Sequence, residues 1–418
     1  MKTFIFGAGA SRDFFNPVLD TAYLTNKVCD QQEWDRVMQK YQQHNGKNHV
    51  MVQSNVIVQV VNEIRIRLQE ANFEQIAEIM DKISSYGYDH LTMNNMLNLL
   101  VGVMNTGFLP QNNNPFGSEW SDIPFLLREI IAEAILDMEN NHKVADYQIM
   151  SGLQKAFIGT VCDRDDDVSV MSLNYDDCVY ESLFGLGFEN GYLPVNQHYL
   201  RQLDIDRFMH ARKVVYFPHG HLKFQFTDND NVTFWSDSNV ANNERWANIN
   251  GMSVGSTLLV LPGRFSYNWN TFLSTGQTKD EGLNHLPYAV YYQRLAIDLF
   301  KSDTVYVVGY SFGDDHVNRL LRSFIKLNPN NKVYIIDFYQ NQITLVDEQH
   351  DPNNIITKIY LNLGADWQLF YSQNAGLMPV NQVEVNKANA QGWGEIFPQV
   401  VFYKKGYRTF LGEFGNVI

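Results

Sequence analysis

The stretch VYVVGYSFGDDHVNRLL (305–321) joins an apolar strand pattern to an amphipathic helix pattern through a glycine turn. Short, β-branched apolar runs of the same kind recur along the chain. They are typical of parallel strands buried on both faces, and their alternation with helical patterns indicates an α/β fold. We therefore predict a Rossmann-like, doubly wound parallel sheet. The other predicted strands are TFIF (3–6), VSVMSL (168–173), VVYF (214–217), TLLVL (257–261) and KVYIID (332–337).

Between the first and second predicted strands, residues 31–150 place apolar side chains at helical spacing, which predicts a helical insertion. The Rossmann core is accordingly assigned to residues 1–30 plus 165–345. Residues 346–418 are assigned to a small C-terminal mixed α/β extension. Its last part, QVVFYKKGYRTFLGEFGNVI (399–418), is interpreted as a terminal hairpin.

Composition narrows the class of protein. The 418 residues are 45% hydrophobic, and 32 basic against 46 acidic side chains give a net charge of -14. This balance disfavours direct contact with nucleic acid or with an anionic membrane. We see no signal peptide and no apolar run near the roughly 20 residues of a spanning helix, so we expect a cytoplasmic protein. Three scattered cysteines without C-x-x-C exclude the usual thiolate zinc site and argue against a disulfide framework.

The first glycine turn, GAGAS (7–11), follows the first predicted strand. Glycines let a backbone approach a ligand closely, and the N-terminus of a following helix attracts anions. The full dinucleotide motif G-x-G-x-x-G is not met, because Arg12 stands at the third glycine position. By itself the turn is equally compatible with a tight connection that binds nothing.

Two further polar stretches follow predicted strands. SLNYDD (172–177) stands where open α/β sheets bind ligands, although taken alone it favours a helix cap. VVYFPHGH (214–221) places His219 in a turn between Pro218 and Gly220, where it could act as a general base or could bond only to backbone. His221 lies further from the strand end and is the weaker candidate.

The segment GYSFG (309–313) formally matches the G-x-S-x-G nucleophile elbow of α/β-hydrolases. Asp337 and His350 follow Ser311 in the hydrolase order, so a serine hydrolase is a genuine alternative. The simpler interpretation is a glycine turn in which Asp314 or Asp315 caps the next helix.

Taken together and in this order, the four motifs resemble the sirtuin-like NAD-binding domains, particularly the zinc-less branch of bacterial antiphage defence. VLPGR (260–264) and LPYAVYYQRLAIDLFKSDTVYVVGYSFGD (286–314) are also similar to that branch. The resemblance covers residues 1–30 and about 165–345, whereas the helical insertion and the C-terminal extension carry nothing assignable.

The resemblance implies a role for each motif. Asn174 would hold the nicotinamide ribose and the attacking water, and His219 would be the general base. Residues 7–11 would wrap the pyrophosphate, and Asp337 would accept from an adenosine ribose hydroxyl. The implied NAD-binding residues are Gly7, Ala8, Gly9, Ala10, Ser11, Asp176, Gly309, Tyr310, Ser311 and Asp337.

One departure from the family pattern bears on the chemistry. Deacetylating sirtuins place Gln directly before the Asn, whereas Leu173 stands here. Together with the missing zinc cysteines, this argues against acetyl-lysine chemistry and leaves cleavage of NAD itself, with NAD as substrate and no metal. ADP-ribosyl transfer and cyclisation share the same bond-breaking step and stay open.

The resemblance thus implies an NAD hydrolase acting as a regulated effector of antiphage defence by NAD depletion. It implies a homo-oligomer gated by a protein partner, such as a HerA-type ATPase, an Argonaute-like protein or a nucleotide-metabolising enzyme. Two alternatives remain: the serine hydrolase with Ser311, Asp337 and His350, and a module that senses NAD or ADP-ribose without turnover.

Overall fold

The structure is a computed structural model of the chain. It shows a mostly parallel β-sheet covered by helices on both faces. The residues that it describes are 1–45, 53–68, 71–86, 123–193, 200–226, 233–236, 248–249, 252–253, 260–261, 264–265, 286–343, 355–363 and 382–417.

The strands fall into one large sheet and three small ones. The strands of the large sheet are β1 (Lys2–Phe6), β2 (Val168–Ser172), β4 (Lys213–Tyr216), β11 (Thr304–Val308), β12 (Lys332–Ile336), β13 (Trp393–Phe397) and β14 (Val400–Tyr403). The small sheets contain β3 (Leu200–Gln202), β5 (Phe224–Phe226), β6 (Thr233–Ser236), β7 (Asn248–Ile249), β8 (Met252–Ser253), β9 (Val260–Leu261) and β10 (Arg264–Phe265).

The large sheet has the order β13-β14-β12-β11-β1-β2-β4. Every neighbouring pair in it is parallel except β13 with β14, which is antiparallel at the edge. The parallel strands are almost entirely buried, as their continuously apolar sequences predict. The first strand of the chain is therefore central, between β2 and β11.

Helices fill the connections between these strands. Their bounds are α1 (Ala8–Ser11), α2 (Thr21–Val28), α3 (Gln31–Asn45), α4 (Ser54–Arg67), α5 (Phe73–Tyr86), α6 (Ile123–Asn141), α7 (Tyr147–Arg164), α8 (Cys178–Ser182), α9 (Ile205–His210), α10 (Tyr288–Lys301), α11 (Asp315–Leu327), α12 (Ile355–Leu363), α13 (Gln382–Gln391) and α14 (Tyr407–Glu413). Single 3₁₀ turns occupy Arg12–Phe14 and Phe414–Asn416.

Different helices cover the two faces of the sheet. On one face the rings of Phe4 and Tyr306 stack 4.8 Å apart, and Phe157 of α7 packs edge-on against both. Phe410 of α14 contacts the same Phe157 ring at 5.0 Å. On the opposite face, α10 contacts the strand β4. The sheet is therefore doubly wound, and the predicted fold class is confirmed.

The contact on the opposite face is both apolar and polar. The rings of Tyr291 in α10 and Tyr216 in β4 lie 5.7 Å apart. The Thr3 hydroxyl in β1 lies 2.8 Å from the hydroxyl of Ser302, which ends α10. The helix α10 thus spans three strands of this face.

Helices α2 to α6 lie between β1 and β2 in the chain and pack on one another, with α6 at their centre. Trp34 is fully buried among them and donates its indole N–H to the Val28 carbonyl at 2.8 Å. The Lys40 ammonium pairs with the buried Glu133 carboxylate of α6 at 2.7 Å. This layer is held together by both apolar burial and paired charges.

Two predicted elements are wrong. The run 257–261 is not a strand of the parallel sheet: Val260–Leu261 pairs antiparallel with Arg264–Phe265, and residues 257–259 lie outside the described part of the chain. The segment 399–418 is not a hairpin either. Its strand β14 pairs with the preceding β13 and with β12, and its second half forms α14. The C-terminal extension therefore contributes two strands to the main sheet.

Candidate active site

Five parallel strands end at the same edge of the sheet, and each is followed by a stretch that the sequence singled out. GAGAS follows β1, LNYDD follows β2, PHGH follows β4, GYSFGDD follows β11 and Asp337 follows β12. The carboxyl ends of parallel strands are where open α/β sheets bind ligands. The sheet order thus brings these five sequence-distant stretches to one edge.

The glycine turns after β1 and β11 pack directly on each other. The Gly9 N–H donates to the Gly309 carbonyl at 2.9 Å. A Cβ on Gly309 would lie 2.2 Å from the Ala10 nitrogen, and Gly309 has φ +57. A Cβ on Gly7 would lie 2.7 Å from the Gly309 carbonyl oxygen. Close backbone packing therefore requires these glycines whether or not they bind a ligand.

Asn174 lies against the first of these turns. Its Nδ2 donates to the Gly7 carbonyl at 2.9 Å and to the Ser11 hydroxyl at 2.8 Å. The residue is only 4% exposed, and within the described part of the chain its Oδ1 has no hydrogen-bond partner. Burying an unpaired amide oxygen is unfavourable, so such an atom in a cleft points to a missing water or ligand.

Asp176 shares Ser11 with Asn174. The Ser11 hydroxyl hydrogen-bonds the Asp176 carboxylate, whose Oδ1 also accepts from the Cys178 N–H at 3.0 Å. Burial raises the pKa of Asp176 above its ordinary value, and these two hydrogen bonds oppose the shift. Asp176 thus forms an Asx turn onto the first residue of α8, whose N-cap residue Asp177 makes no side-chain capping bond, while Asn174 faces the glycine turn.

A cavity of about 70 Å³ opens beside these groups. Ser11, Asn174 and Asp176 line its polar side, and helices α2, α5 and α6 cover it from the insertion. The cavity is large enough for ordered water. Its remaining lining residues are Ala8, Leu19, Asp20, Thr21, Leu24, Phe73, Glu74, Ile135, Leu173 and Tyr175.

Two contacts attach the insertion to the LNYDD loop. The Tyr175 hydroxyl donates to Glu74 of α5 at 3.3 Å, and the Asp177 N–H donates to Glu139 of α6 at 2.6 Å. Glu139 is buried, which raises its pKa well above the ordinary value, and the neighbouring Asp177 and Asp176 add to the shift. The insertion is thus bonded to the loop that carries Asn174.

His219 lies at the same edge and faces the loop after β11. Its Nε2 lies 2.9 Å from Oδ2 of Asp314, and the residue is 6% exposed. The Tyr292 hydroxyl of α10 donates to the same carboxylate oxygen at 3.1 Å. The simpler interpretation was a turn histidine that bonds only to backbone. The His219 side chain instead contacts the side chain of Asp314.

His221 differs from His219 although it stands two residues away. It is fully buried, and its Nε2 lies 3.3 Å from Asp177, which also pairs with Lys223 at 3.1 Å. Burial lowers the pKa of His221 to about 4. The Leu222 N–H donates to the Tyr175 carbonyl at 3.3 Å, so this segment joins the two loops after β2 and β4.

The loop after β11 is braced internally. The Tyr310 hydroxyl is buried and accepts from the Asp314 N–H at 3.1 Å, and the Asn318 Nδ2 donates to the Phe312 carbonyl at 2.9 Å. Asp314 caps α11, as the simpler interpretation of GYSFGDD predicts. Ser311 is exposed at the surface of this loop.

The predicted hydrolase triad is only partly within the described residues. His350 lies outside them. Among the described residues no hydrogen bond joins Ser311 to Asp337, whose Oδ1 instead accepts from the Phe338 N–H at 2.7 Å. Partial burial raises the pKa of Asp337 to about 6, against the opposing charges of Arg12 and Lys358.

The sequence did not identify the groups that hold His219. The sequence indicates only a helix cap for Asp314 and gives no signal for Tyr292. Nor was Ser11 expected to join Asn174 to Asp176 in addition to the role in the pyrophosphate turn. The signal in the sequence was that these motifs follow parallel strands. Which motif contacts which depends on the order of the strands in the sheet, and the sequence does not give that order.

The described residues contain neither a cluster suited to a metal ion nor a helix suited to a bilayer. Among them, no three His, Cys, Asp or Glu side chains are grouped to hold a metal ion. No helix in the described part of the chain is both long and apolar enough to cross a bilayer. A metal-free site and a cytoplasmic location stay predictions.

Comparison with known proteins relates part of the chain to a protein family. Residues 168–356, from β2 into α12, match the family model described as the SIR2-like domain. No curated protein matches the chain. The match supports a sirtuin-like domain that contains LNYDD, PHGH, GYSFGDD and Asp337, and it indicates NAD-binding or NAD-processing activity.

Proposed function

We propose that this protein hydrolyses NAD to ADP-ribose and nicotinamide. The observation that carries the proposal is the buried Oδ1 of Asn174. This atom has no hydrogen-bond partner among the described residues, and Asn174 lines a cavity at the carboxyl edge of a sirtuin-like sheet. His219, whose imidazole is a common general base in enzymes, lies at the same edge. The proposal keeps the role of every motif that the resemblance implied.

In the proposed reaction the bond between nicotinamide and ribose breaks, and its electron pair goes to the pyridine nitrogen. The oxygen of a water molecule bonds to the anomeric carbon, and the proton released goes to His219. An oxocarbenium-like centre of this kind is stabilised by nearby polar groups and by correct placement of the water. Asn174 is the residue we assign to placement of the ribose and the water.

We place the nicotinamide end of the substrate at Asn174, beside this cavity. We place the rest of NAD along the edge, with the pyrophosphate at residues 7–11 and the adenosine ribose near Gly309, Tyr310, Ser311 and Asp337. The Gly9 N–H is already bonded to the Gly309 carbonyl, so other groups of the turn would have to meet the pyrophosphate.

We also propose that the hydrolase is a regulated effector of bacterial antiphage defence that depletes NAD. An unregulated enzyme of this kind would kill its host, so a protein partner or self-assembly would gate it. The partner would be a HerA-type ATPase, an Argonaute-like protein or a nucleotide-metabolising enzyme. Through the hydrogen bonds of Glu74 and Glu139 to the LNYDD loop, a partner bound to the insertion would change the position of Asn174.

The direct test incubates the purified protein with NAD, alone and with candidate partners, and follows nicotinamide release. We expect release from the wild type that is lost in Asn174→Ala and His219→Ala and only weakened in Ser311→Ala. Covalent labelling of Ser311 by a fluorophosphonate would support the serine hydrolase instead. NAD binding without product under every condition would leave the sensing module.

A further inference from the structure

The carboxylate of Asp314 receives hydrogen bonds on both of its oxygens. Oδ1 accepts from the backbone N–H groups of His316 at 2.9 Å and Val317 at 3.3 Å. Oδ2 contacts Nε2 of His219 at 2.9 Å and accepts from the Tyr292 hydroxyl at 3.1 Å. One oxygen thus caps α11, and the other is directed at the imidazole.

This position also favours negative charge on the carboxylate and restricts its movement. Asp314 is buried at the N-terminus of a 13-residue helix, where the backbone dipole favours negative charge. Its own N–H donates to the Tyr310 hydroxyl, which fixes the backbone on the other side. A carboxylate with this many donors has little freedom to turn away from His219.

The neighbouring Asp315 is an ordinary surface carboxylate of the same helix and serves as a comparison for Asp314. Its carboxylate is largely exposed and lies 3.9 Å from Arg319, one turn along the same helix. A helix cap needs only one acceptor oxygen, and Oδ1 of Asp314 supplies it. The contacts of Oδ2 with His219 and Tyr292 are therefore not required for capping the helix.

Because an ionised carboxylate only accepts hydrogen bonds, the ring nitrogen that faces it must carry a proton. Neutral His219 therefore has its hydrogen on Nε2 and a lone pair on Nδ1. No described residue hydrogen-bonds to that Nδ1. The lone pair is the group that could take a proton from water.

We propose that Asp314 is a positioning residue that holds His219 in the Nε2–H tautomer, so that Nδ1 receives the proton from the attacking water. The inference rests on the proposed NAD hydrolysis for the identity of the reaction. After the transfer both ring nitrogens carry protons, and the adjacent carboxylate stabilises the resulting cation.

The decisive variant is Asp314→Asn. The amide oxygen can keep the helix cap, since Asn caps as well as Asp, but the amide nitrogen would then face Nε2 of His219. That nitrogen donates, so the imidazole must move its hydrogen to Nδ1 and lose the proton acceptor. We expect kcat for nicotinamide release to fall by about 10²- to 10⁴-fold, the range for a base held in the wrong tautomer. KM should change by less than about threefold, since the mutation acts on a transition-state interaction.

Two control variants bracket this effect. Asp315→Asn changes a neighbouring charge outside the proposed machinery and should leave kcat and KM unchanged. Tyr292→Phe removes one donor but keeps the carboxylate, so its loss of kcat should be roughly tenfold or less. The melting temperature of Asp314→Asn should stay within about 3 °C of the wild type.

The tautomer is measured separately from catalysis, on protein labelled with ¹⁵N-histidine at a pH where imidazoles are neutral. Long-range ¹H–¹⁵N correlation distinguishes the two ring nitrogens, and a His219→Gln sample assigns the signal. We expect protonated Nε2 in the wild type and in Asp315→Asn, and protonated Nδ1 in Asp314→Asn.

These readouts separate the two proposals. If the wild type never releases nicotinamide, the proposed hydrolysis fails, and the tautomer alone decides whether Asp314 positions His219. A wild-type signal from protonated Nδ1, or the same tautomer in both proteins, would overturn the inference even if kcat fell. Unchanged kcat in an active Asp314→Asn enzyme would overturn it as well.

Discussion

The two halves of the carboxyl edge are built from different parts of the chain. On the side of β1 and β11, Gly7, Gly9 and Gly309 bring two backbones into direct contact, and the shape depends on the absence of side chains. On the side of β2 and β4, Asn174, Asp177 and the two histidines fill the loops with buried polar side chains. Substitution should therefore have different consequences on the two sides.

The comparison teaches how to interpret a glycine turn. A glycine that packs on a second backbone is required for folding, so its presence does not by itself indicate a ligand. The chemistry instead has to be sought in polar side chains that remain incompletely satisfied when buried. Asn174 meets that description, whereas the glycine turn provides the Gly7 carbonyl that holds its side-chain amide.

The largest effect should come from Gly309→Ala. The new Cβ would meet the Ala10 nitrogen at 2.2 Å in a backbone with positive φ, so the two turns would have to separate. We expect destabilisation of about 3 kcal/mol or more, measured by urea unfolding. Gly313→Ala, where a Cβ would lie 3.5 Å from the Ser311 hydroxyl and φ is not positive, is the matched control and should be nearly neutral. Equal losses in both variants would contradict the proposed role of the packed turns.

Asn174→Ala probes the other half. It removes two hydrogen bonds and one unpartnered acceptor, so we expect the fold to persist with a loss of about 1–2 kcal/mol. Nicotinamide release, in contrast, should fall by at least about 100-fold, as when a preorganised polar group is removed from an active site. An unfolded Asn174→Ala variant, or one that keeps most of its activity, would contradict the claim that this side of the edge serves activity more than folding.

His221 sharpens the comparison through pH. Its pKa is lowered to about 4 in the folded state, whereas the unfolded residue titrates near 6.5. Between these values the unfolded chain binds the proton and the folded chain does not, so stability is lost as pH falls from about 6.5 to about 4. The contribution is about 3 kcal/mol. We expect His221→Gln to reduce the acid dependence of urea unfolding, whereas His210→Gln, at an exposed histidine, should leave it unchanged.

Asp337 should show the opposite pH dependence and the smallest effect. Its pKa is raised to about 6 from an ordinary 3.8, so the folded state binds the proton first and stability falls as pH rises from about 4 to about 6. Asp337→Asn should therefore stabilise the protein at pH 7 by up to about 3 kcal/mol, a gain that disappears near pH 4. The same variant should bind NAD more weakly. Destabilisation at pH 7 would show that the ionised carboxylate is favoured in the fold.

The fold was largely predictable from the sequence. Five of the six predicted strands are present in the sheet to within one residue at their ends, because a continuously apolar, β-branched run reports burial on both faces. The run 257–261 has the same composition and was misassigned, since such a run does not reveal its pairing partner. The strand β13 was missed because WGEIF (393–397) is a short alternating pattern inside a mixed segment. The residues of β14 were expected to pair within a terminal hairpin and instead pair with β12 and β13.

The candidate site was predictable in its location and not in its contacts. That Asn174 and His219 would lie at a common edge followed from their positions after parallel strands. That Asp314 would meet His219 depends on β11 and β4 being separated by only β1 and β2, which local sequence does not encode. The unpartnered Oδ1 of Asn174 likewise depends on how α2, α5 and α6 cover the loop.

The central position of β1 has a consequence for biosynthesis. Its residue 2 pairs with residue 168 on one side and with residue 304 on the other, so the middle of the sheet joins the most distant parts of the chain. Closing contacts of such long range is slow, and the early strand must stay unpaired while the insertion is made. The groove at the strand ends cannot assemble until β11 has left the ribosome. Under the proposed function, a nascent chain could not cleave NAD before β11 has been made.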